Sequence, residues 1–373
     1  MITNLQYIKE YIQSRDLKPK TYNTIKSVLN HYSNYQETNL HELLTEADLE
    51  EEAGIRWKKR KLKYRLINYT NYCKNNMTIT STKTYLSIVK SFYNHHEIEI
   101  GNLPRINKRK AIVENPVTFK DLPTHQIIRN AVELSTPLFK SLILFLSSTG
   151  MAKVDARGLR LSDFIISTYD YHQTDNIIDA VDTMLNLDEV IIPTWKLRRQ
   201  KTNKYFITFN TPETTTEILN YLTIRLTKTE LTDDDLLFPV NEHYFTRKFE
   251  ELNDVMGLGN VGSYRRFRGH MLRKFHASNL KKAGMDKYEI NVLQGKSNGA
   301  VDDVYFFEDE EKLRNDYIKY MHSLLIFTEV KEFNKYSPEF MELEKQNQAL
   351  QKSLDDFNQL KDDVDKLKKW YKY

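Results

Sequence analysis

The sequence predicts a mainly α protein with a small β-hairpin: a helical N-terminal domain, a mixed α/β second domain and a C-terminal coiled-coil-like helix. Apolar residues recur at three- and four-residue spacing through most of the chain. One stretch, VIIPTWKLRRQKTNKYFITF, breaks that rhythm with β-branched and aromatic runs flanking a polar turn. Beyond Ser337 the apolar positions fall into a heptad-like seam.

Taken in order, IKSVLNHYSNY, LKYRLINYTNYC and TYLSIVKSFYNHHEI each carry the helical period and predict a four- or five-helix module over residues 1–102. GNLPRINKRKAIVENP follows, with a Gly, two Pro and four cations among few apolar residues. That composition predicts an exposed linker over residues 103–115. The second domain, 116–328, has helical patterns at PLFKSLILFLSS, TTEILNYLTIRL, HYFTRKFEELNDVM and HMLRKFHASNLKKAG. Its hairpin carries Lys201 and Thr202 near the tip. In residues 329–373, Ser337-Pro338-Glu339 predicts a helix start. Phe340, Leu343, Asn347, Leu350, Leu354 and Phe357 form the seam, resumed by Leu360, Val364, Leu367 and Tyr371 after one slip. A short coiled coil and a single amphipathic helix on the protein's own surface both fit this pattern.

With 373 residues, 40% of them apolar, the chain has the material for a sizeable core. The N-terminal MITNLQYIKEYIQSR lacks a signal peptide's apolar segment, and the best apolar run, LFKSLILFLSS, is short and contains Lys140. The expectation is a cytoplasmic, nucleoid-associated protein with no membrane partner. A single cysteine, Cys73, excludes an intrachain disulfide and any CxxC motif. The net charge of +4 is small, but its distribution is uneven. Residues 1–115 carry about +7, so the basic excess lies at the front.

Three motif matches fail on context. GLGNVG, Gly257–Gly262, follows a helical segment rather than a strand and reads as a flexible loop. Gly295-Lys296-Ser297 resembles the end of a phosphate-binding loop, yet Ile290 stands where the first glycine belongs. His95-His96 has no carboxylate or Cys partner at ligand spacing, so no metal is expected. The basic stretches are more informative. RWKKRKLKYR, read as a helix, gathers Arg56, Lys58, Lys59, Arg60, Lys61, Lys63 and Arg65, either as phosphate ligands or as a solvated face, and the basic linker nearby tips the balance toward nucleic acid. The linker adds Arg105, Lys108, Arg109 and Lys110.

In RGHMLRKFHASNL, His270 and Arg273 lie three residues apart and share a helical face. A guanidinium forks onto two phosphate oxygens, and an imidazole handles a proton near neutral pH. A solvated helix face is the alternative on spacing alone. Further on, QGKSNGAVDDVYFFED places Tyr305 after a Gly-containing turn.

The ordered set of a KT hairpin, an HxxR helix, a G-(H/K) turn and a following Tyr resembles the tyrosine recombinases, or phage-type integrases, most closely their archaeal and archaeal-virus branch. STKTYLSIVKSFYNHHEI resembles the last helix of the family's N-terminal core-binding domain, and STGMAKVDARGLRLSDF its first active-site box. The likeness runs from Thr21 to Phe327. It implies that 116–328 is a tyrosine-recombinase catalytic domain acting without cofactor on double-stranded DNA attachment sites, as a homo-oligomer and with no small-molecule substrate. It implies Tyr305 as nucleophile, forming a 3′-phosphotyrosine link. Arg273 would hold the non-bridging oxygens, His270 would assist proton movement, and Lys201 would protonate the leaving 5′-oxygen from a mobile hairpin.

Two positions depart from the family pattern. Lys296 stands where most members have His or Trp, and it keeps a donor for the phosphate. Ala152 stands where the first box carries an arginine. If TGMAKVDARGL is helical, Arg157 shares a face with Lys153 and leans back toward the turn where that arginine would sit. The expectation is that Arg157, or secondarily Lys153, supplies a second cation beside Arg273. Pairing with Asp155 and Asp163 on a solvated face is the alternative. Three readings stay open: a strand-exchange enzyme, a catalytically weak accessory protein of the same fold, and a coiled-coil assembly protein with a nucleic-acid-binding N-terminal module.

Overall fold

The computed structural model describes residues 4–15, 17, 19–106, 117–297 and 310–327. The chain divides into two compact units, Met1–Pro116 and Val117–Tyr373.

The first unit consists of five helices: α1 (Asn4–Gln13), α2 (Pro19–Tyr35), α3 (Leu40–Glu52), α4 (Lys61–Asn76) and α5 (Ile79–His95). Side-chain caps mark two of the starts. Asn39 Oδ1 accepts the Glu42 N–H at 2.9 Å, and Thr78 Oγ1 accepts the Ser81 N–H at 3.3 Å. A largely aliphatic core takes in four tyrosines: Tyr11, Tyr32, Tyr69 and Tyr93 are buried with Leu29, Leu66 and Phe92. Buried phenols need partners, and these find one another. The Tyr32 and Tyr93 hydroxyls are 3.1 Å apart, and Tyr69 Oη meets His31 Nδ1 at 2.9 Å. Burial raises the pKa of all three phenols.

The basic stretch RWKKRKLKYR is not one helix. Trp57–Lys59 forms a 3₁₀ turn, and Arg60 is the extended cap residue from which α4 departs. The residues expected to share one cationic face therefore lie on two elements.

The second unit is built around α7 (Pro137–Thr149), with α6 (His125–Glu133) before it. Every residue from Ser141 to Thr149 is buried, so α7 is an internal helix rather than an amphipathic one. Its hydroxyls are satisfied within the helix: Ser148 donates to Leu144 O at 2.8 Å and Thr149 to Phe145 O at 2.7 Å. Four helices follow in sequence or across the hairpin: α8 (Lys153–Ala156), α9 (Leu161–His172), α10 (Ile177–Leu185) and α11 (Pro212–Leu226). The hairpin pairs β1 (Thr194–Arg198) with β2 (Tyr205–Phe209) antiparallel, in the register Thr194↔Phe209 to Arg198↔Tyr205. Trp195 anchors it in the core, donating from Nε1 to Asn210 Oδ1 at 2.8 Å.

After α12 (Glu242–Val255) come two short strands, β3 (Asn260–Val261) and β4 (Tyr264–Arg265). GLGNVG is thus no formless loop but leads into a tight hairpin, whose turn uses Gly262 at φ +61°. The described part ends with α13 (Gly269–Ala283), α14 (Lys287–Leu293) and α15 (Glu310–Tyr320). Helices α6, α11 and α13 pack on α7. Among the described residues no helix is long and apolar enough to cross a membrane. The C-terminal seam from Phe340 to Tyr371 lies outside the described residues.

Helix α7 stops at Gly150, which takes φ +60°. A Cβ there would stand 2.5 Å from His276 Nδ1 and 2.9 Å from Gln294 Nε2. Both the backbone and the space require glycine. Gly150→Ala is expected to destabilise the second unit by about 2 kcal/mol or more, read as a lowered urea midpoint. An unchanged midpoint would mean that the turn is not held as described.

Candidate functional site

Arg273 lies in the second turn of α13 and is 8% exposed. Its Nη1 donates to Gly150 O at 2.8 Å and its Nη2 to Gln294 O at 2.7 Å. Burial pulls its pKa down to about 10, with the Arg199 charge adding to the effect. It remains a cation at neutral pH. Gln294 ties the arrangement together: its Nε2 donates to Arg273 O at 2.8 Å and reaches His276 Nδ1 at 3.1 Å. His276 is fully buried, and desolvation, reinforced by Arg273 and Lys296, lowers its pKa to about 3. It is a neutral imidazole, with Nδ1 as acceptor.

Arg273 also borders a cavity of about 380 Å³ that His270, Lys274, Lys296 and Phe119 help to line. Among the described residues its wall holds four titratable groups, all of them basic. His270 stands exposed at its rim. Desolvation lowers its pKa, followed by the charges of Lys274, Arg268, Arg273 and Lys296, so the ring is neutral at neutral pH. Lys296 is lowered as well, by desolvation and then by Arg273, Arg199 and Lys287. A cavity of this make-up favours an anion with several oxygen acceptors.

The β1–β2 hairpin closes on the same place. Asp155 Oδ1 accepts the Gln200 N–H at 2.9 Å, and Asp155 Oδ2 lies 3.5 Å from Arg199 Nε. Arg199 Nη1 donates to Gly295 O at 2.9 Å, and Lys204 Nζ to Lys296 O at 3.2 Å. The hairpin expected to be mobile is therefore docked through its turn residues. Lys201 is exposed at its tip.

No family profile matches the sequence, and no curated protein does. Solved structures are similar in fold. The XerH site-specific recombinase in its post-cleavage complex with palindromic difH substrate has a TM-score of 0.51 at 17% identity, over 84% of each chain. The Tn1549 transposon integrase in complex with transposon right end DNA has a TM-score of 0.51 at 13% identity, over 85% of this chain and 99% of that one. The fold is that of the tyrosine recombinases.

Within this recombinase fold, Arg273, His270 and Lys296 line one cavity. Arg157 and Lys153 do not join them. Arg157 Nε donates to Val240 O at 2.7 Å and its Nη1 lies 4.0 Å from Glu242, whereas Lys153 pairs with Glu242 at 3.1 Å. The helix carrying them ends at Ala156, which makes Arg157 its C-terminal cap residue, and both side chains turn toward the start of α12. The cation that bears on Arg273 is Arg199, which sequence reasoning passed over. Its signal was the pair Arg198-Arg199 just before the turn, read only for Lys201. Tyr305, Lys108, Arg109 and Lys110 lie outside the described residues. Tyr317, the nearest described tyrosine after Tyr305, is fully buried and donates to Ser148 O at 3.0 Å. Desolvation raises its pKa well above the ordinary phenol value, so it is a core residue and not a nucleophile.

In the first unit the basic residues divide. Arg60 is 9% exposed, pairs with Glu51 at 3.0 Å and donates to Ile55 O, so it is structural. Arg65 is bidentate on Glu46 at 2.7 and 3.1 Å and also bonds Gln36. Lys61 lies 3.6 Å from Glu46. Arg56, Lys58 and Lys59 stay exposed, and Lys63 is half-buried. The set available to phosphates is thus smaller than the stretch RWKKRKLKYR suggested.

Two outcomes follow. If the first unit binds a phosphate backbone, Lys58→Ala with Lys59→Ala reduces the salt slope of that binding by about 2, with stability unchanged. Arg65→Ala is expected to cost about 1 kcal/mol or more of stability, read by urea unfolding; the reverse pattern would reassign both. For His276, the unfolded imidazole binds a proton below about pH 6.5, whereas the native one does so only near 3. Stability therefore falls as pH drops through that window and levels off below it. His276→Phe is expected to flatten this dependence, measured as urea midpoints between pH 7 and 4. An equal pH dependence in the variant would show that other groups cause it.

Proposed function

We propose that the chain is a site-specific DNA recombinase or integrase of the archaeal or archaeal-virus branch, acting on duplex attachment sites as a homo-oligomer. The observation that carries this reading is the cavity around Arg273, whose titratable groups among the described residues are all basic, in a tyrosine-recombinase fold. A phosphodiester fits it by charge and by acceptor number. In the proposed step the Tyr305 hydroxyl oxygen attacks phosphorus, forming a P–O bond to tyrosine while the bond to the 5′-oxygen breaks. His270, neutral at working pH, takes the phenol proton, and Lys201 gives a proton to the departing 5′-oxygen. Arg273 and Lys296 stabilise the charge on the non-bridging oxygens. Attack by a 5′-hydroxyl on the phosphotyrosine then reverses the sequence and rejoins a strand, so bond energy is conserved and no nucleotide cofactor is required.

Ala152 favours a second reading, an accessory DNA-binding protein of the same fold. One assay separates the two. Nicked duplexes taken from DNA flanking the gene are incubated with protein and resolved under denaturing conditions. Wild type is expected to give a covalent band and Tyr305→Phe none, with DNA retardation nearly equal for both. A band that persists in Tyr305→Phe would remove the nucleophile assignment, and retardation without any band would favour the accessory protein.

A further inference from the structure

We propose that Arg199, delivered by the β1–β2 hairpin, supplies the second guanidinium of the phosphate site in place of the arginine that Ala152 lacks. The inference rests on the phosphate-site reading above, and the geometry supports it at three points.

The two arginines are held side by side. Arg273 Nη2 donates to Gln294 O at 2.7 Å, and Arg199 Nη1 donates to the next carbonyl, Gly295 O, at 2.9 Å. Like charges so placed repel, and Arg199 is the first charge, after burial, that weakens proton binding by Arg273. Lys296, which follows Gly295, feels both. Among the described residues Asp155 is the carboxylate that offsets the two arginines, so cations outnumber it there. An added phosphate anion would relieve that excess.

The anchor that holds Arg199 belongs to the box that lost its arginine. Asp155 lies three residues after Ala152; its Oδ1 accepts the Gln200 N–H, and its Oδ2 forms a 3.5 Å ion pair with Arg199. Arg273 Nη1 rests on Gly150 O, two residues before Ala152. The segment around Ala152 is thus flanked by both guanidinia, whereas the local cations Lys153 and Arg157 are held at Glu242 and Val240.

Arg199 also has donor capacity in hand. Its Nε is buried, and the 3.5 Å approach to Asp155 is not aligned as a hydrogen bond, so this N–H has no hydrogen-bond partner among the described residues. A guanidinium with an unused donor beside a second guanidinium can fork onto the oxygens of one tetrahedral anion.

Two measurements on the full chain test this. In the nicked-duplex assay, Arg199→Ala is expected to form covalent complex on the order of 10²–10³-fold more slowly than wild type. Arg199→Lys should recover part of the rate, and Ala152→Arg in the Arg199→Ala background should recover more. Lys153→Ala is the charge-matched control and should react like wild type. Thermal unfolding checks that Arg199→Ala folds; Arg199→Ala with Asp155→Asn serves if the unpaired carboxylate disrupts it. A wild-type rate in Arg199→Ala overturns the inference while the recombinase reading stands. Rescue by Ala152→Arg would not occur if Arg199 only braced the hairpin, so its failure also overturns the inference.

The second measurement titrates inorganic sulfate and follows the arginine Nε–H signals by NMR. It bears on Arg199 even if wild type gives no covalent complex and the strand-transfer reading falls. Arg199 and Arg273 signals that shift with one common saturation support the site. A shift confined to Arg273, or none, overturns it.

Discussion

A guanidinium withdrawn from water needs replacements for the hydrogen bonds it gives up, and Arg273 is where this protein meets that demand. Its two terminal nitrogens are satisfied by carbonyls that point inward because helices end there: Gly150 O beyond α7 and Gln294 O beyond α14. Three elements are thereby fixed about one side chain. Gly150 must turn with a positive φ to leave room for His276, and Gln294 must face inward to bind both the Arg273 carbonyl and the imidazole. A buried charge held this way is costly to disturb at any point, which explains why so many backbone groups converge on it.

The same constraint organises the surface of the second unit. Burying Arg273 beside Gly295 places the turn carrying Lys296 against the hairpin, where Arg199 and Lys204 donate to consecutive carbonyls. Positive charge gathers in this region while acidic groups elsewhere tie up the neighbouring cations: Glu242 takes Lys153, and Asp234 takes Arg160. A net charge of +4 is therefore a poor guide to the local field. What matters is where the cations gather, and among the described residues the cavity by Arg273 is lined by four basic ones.

Much of the fold was legible because it rests on local pattern. The five helices of the first unit follow from three- and four-residue apolar spacing, and the hairpin from β-branched residues around RRQKTN. His270 and Arg273 were legible as a pair since three-residue spacing on a helix sets their shared face. The partners of the other cations were not. Lys153 meets Glu242 and Arg157 meets Val240 across more than eighty intervening residues, a distance over which no sequence period carries information. Arg60 and Arg65 read as ligands for phosphate because their charges are visible in the sequence while Glu51 and Glu46 sit on another helix. Arg199 was missed for the converse reason. It lies beside a lysine that the resemblance already explained, and only the folded hairpin shows which of the two side chains faces Gly295.

The buried tyrosines of the first unit give the protein a built-in optical reporter. Phenolate absorbs at longer wavelength than phenol, so an alkaline titration watched by ultraviolet absorbance counts the tyrosines that solvent can reach. Tyr64 and Tyr72 lie exposed at the surface. Tyr32, Tyr69 and Tyr93 hold their protons until the helices around them separate. Their late, cooperative step marks the opening of the first unit by colour, and the buried Tyr221 and Tyr317 give the second unit a late step of its own.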